Sequence, residues 1–436
     1  MFGRGALLLV MGMSSLFIVY TSNMISTANK TVDFYTSYYQ NNVAENMATS
    51  AVNVACNAIY TSVVNKTLVW TTGFDLSNFY ENATNSPTNR VVATVTQKGT
   101  DTLILLCTAY YGDSVRSIRV RLHASQYSKY GAFYNASSAQ FATGDTLDGP
   151  THFNTYCYTF GSPVFLGKVS CLKGLSKSGS PANPQFLGGF DSGVSIPLSI
   201  DVTGVAADAV GGHIFAGTVA QPYIAVDLTL NADGTATYKT KTASSTSGLA
   251  TATYGAATTS SLATLAPNGV ILAQKGNITM RGTLNGKATI AALAGGGGST
   301  VGNVYIDNNV VYNSDPKINP ASTDMLGIVS ESSTTVTYNN TRGDITIMGS
   351  IMCQNTGLVV DQFSSYSTIH TMHIYGGVIA QDVQATAVYS GTTPTKGYSY
   401  SQNYDPRFLN FAPPHFPLTN TYEVLSWVSF CPNCNY

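Results

Sequence analysis

The chain has 436 residues, of which 44% are hydrophobic and only 10% charged, where a globular chain usually carries about 25% charged residues. The apolar share excludes wholesale disorder. The balance of 21 basic against 22 acidic side chains, a net charge of -1, excludes the basic footprint with which a protein holds nucleic acid, and a surface so sparsely charged suits a chain that associates with its own copies or works outside the cell.

The first element is a helix. Arg4 precedes an apolar run made of Ala6, Leu7, Leu8, Leu9, Val10, Met11, Leu16, Phe17, Ile18 and Val19, with Ile25 beyond it. This beginning is that of a secretory signal peptide, yet no break follows. There is no Pro before Val64 and no Gly after Gly12, so nothing interrupts the helical ladder. Further along, Ala44, Met47, Ala48, Ala51, Ala55 and Ile59 recur at i, i+3/i+4 spacing and form a stripe of mostly small residues that permits close docking. The pattern predicts one helix over residues 1–65, roughly 55–60 residues and about 85 Å long at 1.5 Å per residue. Its first third is apolar all round and its second part amphipathic. Ala6 to Ile25 just reaches the roughly 20 residues of a bilayer crossing, and Arg4 places the N-terminus on the cytoplasmic side.

Gly3-Arg-Gly-Ala-Leu-Leu-Leu-Val10, followed by the unbroken Gln40-Asn-Asn-Val-Ala-Glu-Asn-Met-Ala48, resembles the type IV pilin superfamily, and within it the pilus-assembly PilX-like proteins. The resemblance covers about residues 1–65. It implies a leader cut between Gly5 and Ala6. It also implies an apolar helix that sits first in the inner membrane and later in the core of a helical filament of identical subunits, raised on the bacterial surface by pilus assembly machinery. The glutamate that such pilins carry at the fifth mature position has no counterpart, since that position is Val10 after cleavage and Gly5 without it.

Beyond the helix the expected fold class is α+β, the long helix being followed by a mainly β head. A first β region covers 66–170, with strands at Val91–Thr96, Leu103–Cys107 and Ser117–Leu122, where Arg119 and Arg121 alternate with Ile118, Val120 and Leu122. Asp145, Asp148, His152 and Asn154 cluster there like an acid–base or metal group, but the Asp-Gly-Pro among them reads as a turn with capping polar groups. Residues 171–267, rich in Gly, Ala, Ser and Thr, read as an insertion or decorated β region. From residue 268 to 436 short strands punctuated by Gly recur, among them Gly302–Ile306, Leu326–Val329, Asp344–Ile351 and Met372–Ile379. A spacing of roughly 20–30 residues predicts a right-handed parallel β-helix whose ends are capped, with a sandwich of hairpins as the competing fold. Tyr312–Pro316, Ser322–Val329 and Tyr404–Phe408 also resemble the C-terminal domain of the same pilus-linked proteins.

Nothing in the sequence calls for catalysis, a cofactor or a metal. The aspartates are scattered, His370 and His373 stand three apart in a strand and so face opposite sides, and no phosphate loop or nucleophile motif occurs. Of seven cysteines only Cys431 and Cys434 have metal or redox spacing, and zinc would need a second pair. A local disulfide between them, an inter-subunit one, and free thiols all remain open. The expected function is that of a structural subunit in an extracellular filament. The alternatives are a minor, membrane-retained assembly or secretion component, and a helix-anchored adhesin or carbohydrate-binding protein.

Overall fold

The computed structural model describes residues 3–64, 74–75, 89–98, 102–136, 139–196 and 202–432. The chain is α+β, as expected, and divides into two units, one formed by residues 1–125 with 420–436 and the other by 126–419. That boundary lies inside the expected region 66–170, and the last 17 residues, expected to belong with 268–419, fall in the first unit.

The first unit is built on a helix at Gly3–Val64, 62 residues long, or about 93 Å. Its many hydroxyls do not fray it, because they bond back to the preceding turn: Ser15 Oγ to the Gly12 carbonyl at 2.8 Å, Thr21 Oγ1 to that of Phe17 at 2.6 Å, and Thr27 Oγ1 to that of Asn23 at 2.9 Å. From Tyr39 onward the helix docks on a five-stranded sheet in the spatial order Phe74–Asp75, Asn89–Lys98, Thr102–Tyr111, Ser114–Gln126 and Leu418–Phe430. The strand alternation is clean. Leu103, Leu105, Cys107, Ile118, Val120 and Leu122 turn inward onto Ala48, Ala51, Val52, Ala55 and Ile59, while Arg119 and Arg121 point to solvent. Small helix residues let the backbone lie close to the sheet. Arg116 Nε donating to Asn41 Oδ1 at 3.2 Å, and Ser429 Oγ to Glu45 Oε1 at 3.2 Å, pin the flanks of this contact.

The second unit is a stack of parallel ladders. One runs through His213–Phe215, Val270–Gln274, Lys287–Leu293, Met325–Ser330, Ile345–Cys353 and Ile369–Ala380. There the order leaves the sequence. Val378 pairs with Ala132, 246 residues earlier, and the ladder continues through Ala132–Tyr134, Thr151–Phe153, Val169–Cys171 and Phe190–Ser192. Residues 132–192, expected to lie apart from the short strands that follow residue 268, therefore continue the same parallel ladder. Residues 213–261, expected to be an insertion or decorated region, supply the far end. There Tyr223–Leu230 is parallel to Gly276–Leu284 and forms an antiparallel hairpin with Thr235–Ala243.

The main ladder is apolar on both faces. Ile271, Ile290, Ile328, Ile351 and Val378 fill the interior. Their neighbours Leu272, Ala291, Val329, Met352 and Ile379 are covered from outside by Val202, Val205 and Phe416. Strands buried on both sides lose the period-two signature and read as continuous apolar runs.

Candidate functional site

Two places in the chain depart from what folding alone requires. The first is the helix ahead of the docked stripe. Large apolar side chains from Leu7 to Ile25 are 57–74% exposed, whereas Ala44, Ala48 and Val52 on the same helix are 0% exposed. The expected apolar residues, Ala6 to Met11, Leu16 to Val19 and Ile25, thus share one bare surface, and Gly5 lies within the same helix. The expected docking residues Ala44, Ala48, Ala51, Ala55 and Ile59 are buried and Met47 is partly so. The helix is long and apolar enough to cross a membrane. At the other end of the chain Cys431 is disulfide-bonded, and Cys434, one of the partners the sequence left open, lies outside the described residues.

The second place is a cavity of about 340 Å³ in the second unit, at the seam where the two halves of the stack meet. The earlier half contributes Tyr134, Gln140, Phe141, Asp145 and Phe160, the later half Asp382, Gln384, Tyr389 and Tyr400. Rings form much of the wall, with Phe141 edge-on to Tyr400 at 6.0 Å and Phe160 edge-on to Tyr389 at 5.8 Å. The described residues that line it include no Lys or Arg.

Asp145 and Asp148 were expected to be turn and cap residues, and the structure gives each a second duty. Asp145 Oδ2 accepts the Ala142 N–H at 2.7 Å, closing the local turn, and Oδ1 accepts the Tyr400 N–H at 2.8 Å, across the seam. Asp148 does the same with Gly149 and Tyr404. His152 and Asn154 belong to an interior chain of polar contacts, with Ser170 Oγ at 2.8 Å from the His152 Nδ1, Asn154 Oδ1 at 2.9 Å from its Nε2, and Asn154 Nδ2 donating to Asn135 Oδ1 at 2.8 Å. No group of three metal-ligating side chains occurs among the described residues.

Asp145 is 6% exposed. Burial pushes its carboxyl from 3.8 up to about 7, outweighing the two backbone N–H bonds that favour the charged form. Between those values the folded chain holds a proton that the unfolded chain has released. This group's contribution therefore falls as pH rises through that window and is flat above it. Each pKa unit of the gap corresponds to about 1.4 kcal/mol. The second unit is expected to melt at a higher temperature near pH 5 than near pH 8, and Asp145→Asn is expected to flatten that slope in calorimetric scans. An unfolding midpoint that rises with pH in the parent would contradict the assignment.

Tyr400 is 5% exposed. Burial and the neighbouring Tyr134 hydroxyl push its hydroxyl well above the ordinary tyrosine range, and apart from that neighbour its Oη meets no hydrogen-bond partner among the described residues. Sequence reasoning missed this cavity, because its residues come from segments more than two hundred positions apart.

No protein-family model and no curated protein matches the chain. Among solved structures, the competence-associated pilin ComZ from Thermus thermophilus is similar over 90% of this chain and 98% of that one, with a TM-score of 0.38 and 13% identity.

Proposed function

We propose that the chain is a non-enzymatic structural subunit of an extracellular type IV pilus-like filament, held in a membrane by its helix before assembly. The observation that carries this reading is the exposure of Leu7 to Ile25 on a helix whose later turns bury their small-residue face against the sheet. Each such side chain costs about 1.5–3 kcal/mol when left in water rather than buried, so the segment belongs in lipid or against other helices. Gly12, Ser14 and Ser15 provide the small surface that helices use to approach one another in lipid. The hydroxyls of Ser15 and Thr21 are bonded to their own backbone, which lowers their cost there. The helix has no acidic residue in its first turn, so in this reading association rests on packing rather than on an ion pair with a neighbour's terminus.

The second unit is read as a parallel β-helix carried on the outside of the filament. Its successive parallel ladders, stepping 19 residues from Val270 to Thr289 and 27 from Ser350 to Gly377, support this reading. Electron cryo-microscopy of material sheared from cells tests the proposal. A fibre whose core is packed N-terminal helices is the expected result. Recovery of the chain solely from the membrane fraction, with no fibre, overturns the filament and leaves a tethered β protein.

A further inference from the structure

We propose that the seam cavity between Tyr134, Phe160, Tyr389 and Tyr400 is a binding site for a neutral sugar ring. The proposal concerns the second unit alone and does not depend on filament formation. Ring walls and a polar interior together suit a ligand with both C–H faces and hydroxyl edges. Phe160 and Tyr389 form an edge-on pair at 5.8 Å, and Phe141 and Tyr400 another at 6.0 Å, while Gln140 and Gln384 line the same space with amide groups. A volume of about 340 Å³ lies at the small end of ligand pockets, which run from about 300 to 1,000 Å³.

Charge narrows the class. The described lining includes Asp145 and Asp382 and no Lys or Arg, which disfavours phosphates, uronates and other anions. Asp145 has both oxygens already engaged by the Ala142 and Tyr400 N–H groups, so it is not a bare counter-ion waiting for an amine. The group with capacity to spare is instead a neutral one. Tyr400 Oη is buried with the Tyr134 hydroxyl beside it but makes no hydrogen bond of full geometry among the described residues, a condition that native proteins leave in few places and that a sugar hydroxyl would relieve.

The test is saturation-transfer NMR and calorimetric titration of the full chain in detergent. The probes are the methyl α-glycosides of glucose, galactose and mannose, then N-acetylglucosamine, with benzylamine as a cationic control. Saturable binding of at least one sugar is expected. Tyr400→Phe, which keeps the ring and removes only Oη, should weaken it by about 3-fold to 10-fold, the range of one hydrogen bond. Tyr389→Ala should weaken it by at least as much. Absence of saturable binding for all four sugars overturns the proposal. So does sugar binding that neither variant changes, or binding of benzylamine alone.

Discussion

Ile18→Asp is expected to abolish assembly while leaving both folded units intact. Ile18 is 69% exposed and none of its contacts belongs to the packed core of the first unit, so the unfolding midpoint of the purified chain should stay within the range of a surface change, about 0.5 kcal/mol. The effect lies in the environment of the helix. An aspartate near the middle of a membrane span costs about 2.5–3.5 kcal/mol on insertion scales, and with the apolar stretch only just long enough to cross, that is a large part of what holds it. In a filament the penalty repeats in every subunit, because each buried carboxylate would face the packed helices of its neighbours. Immunoblots of membrane and sheared-surface fractions check the outcome, with fibre yield expected to fall at least tenfold. Ala58→Asp, further along the helix, serves as the comparison, since residue 58 is only partly buried and no membrane need cover it. Wild-type fibre yield from Ile18→Asp would sink the packing argument.

The long helix is legible because its signal is local. The lack of Pro, the lack of Gly after Gly12, the small-residue stripe and the back-bonding Ser and Thr all act within one or two turns, and the helix is continuous over Gly3–Val64. The strand Ser114–Gln126 is legible for the same reason, since one of its faces is wet and its Arg residues alternate with apolar ones. The hairpin Tyr223–Leu230 with Thr235–Ala243 was within reach too. Its turn Asn231-Ala-Asp-Gly234 has Gly234 at φ +81° and Asp233 Oδ1 accepting the Thr235 N–H at 3.0 Å, but the surrounding Ser and Thr masked the alternation.

The stacking order is a different matter. Ala132–Tyr134, Thr151–Phe153 and Val169–Cys171 are three residues each, too short for a period to emerge, and their partners are settled by a pairing between Val378 and Ala132 that no local pattern encodes. The cavity inherits this difficulty. Asp145 draws attention as a turn residue, which it is, but the Tyr400 N–H that it also accepts lies 255 residues away. A tyrosine hydroxyl set among buried rings leaves no trace in composition or spacing.

Gly376→Ala is expected to prevent the second unit from folding. The strand Ile369–Ala380 serves two ladders, with Met372 to Tyr375 paired to Tyr400 to Asn403 and Val378 to Ala380 paired to Ala132 to Tyr134. The change of partner happens at Gly376 and Gly377. The preceding strand turns the same corner at Gly349, which lies in register with Gly376. At this corner Gly376 has φ +140°, a region that L side chains rarely occupy, and a Cβ there would stand 2.0 Å from the Gly349 carbonyl oxygen and 3.2 Å from the Phe408 ring. The obstacle on one side is backbone, so no rotamer relieves it. Gln402, fully buried, donates its amide to the Gly376 carbonyl at 2.9 Å and also to that of Gly131, which fixes the corner from behind. Strain and clash together place the cost at about 4 kcal/mol or more, among the largest single-residue effects, against a total stability of about 5–15 kcal/mol. Gly343→Ala, where a Cβ would meet nothing within 4 Å, should be neutral. Circular dichroism melts compare the two, and a Gly376→Ala chain that melts with the parent would mean that the corner can open without loss of the stack.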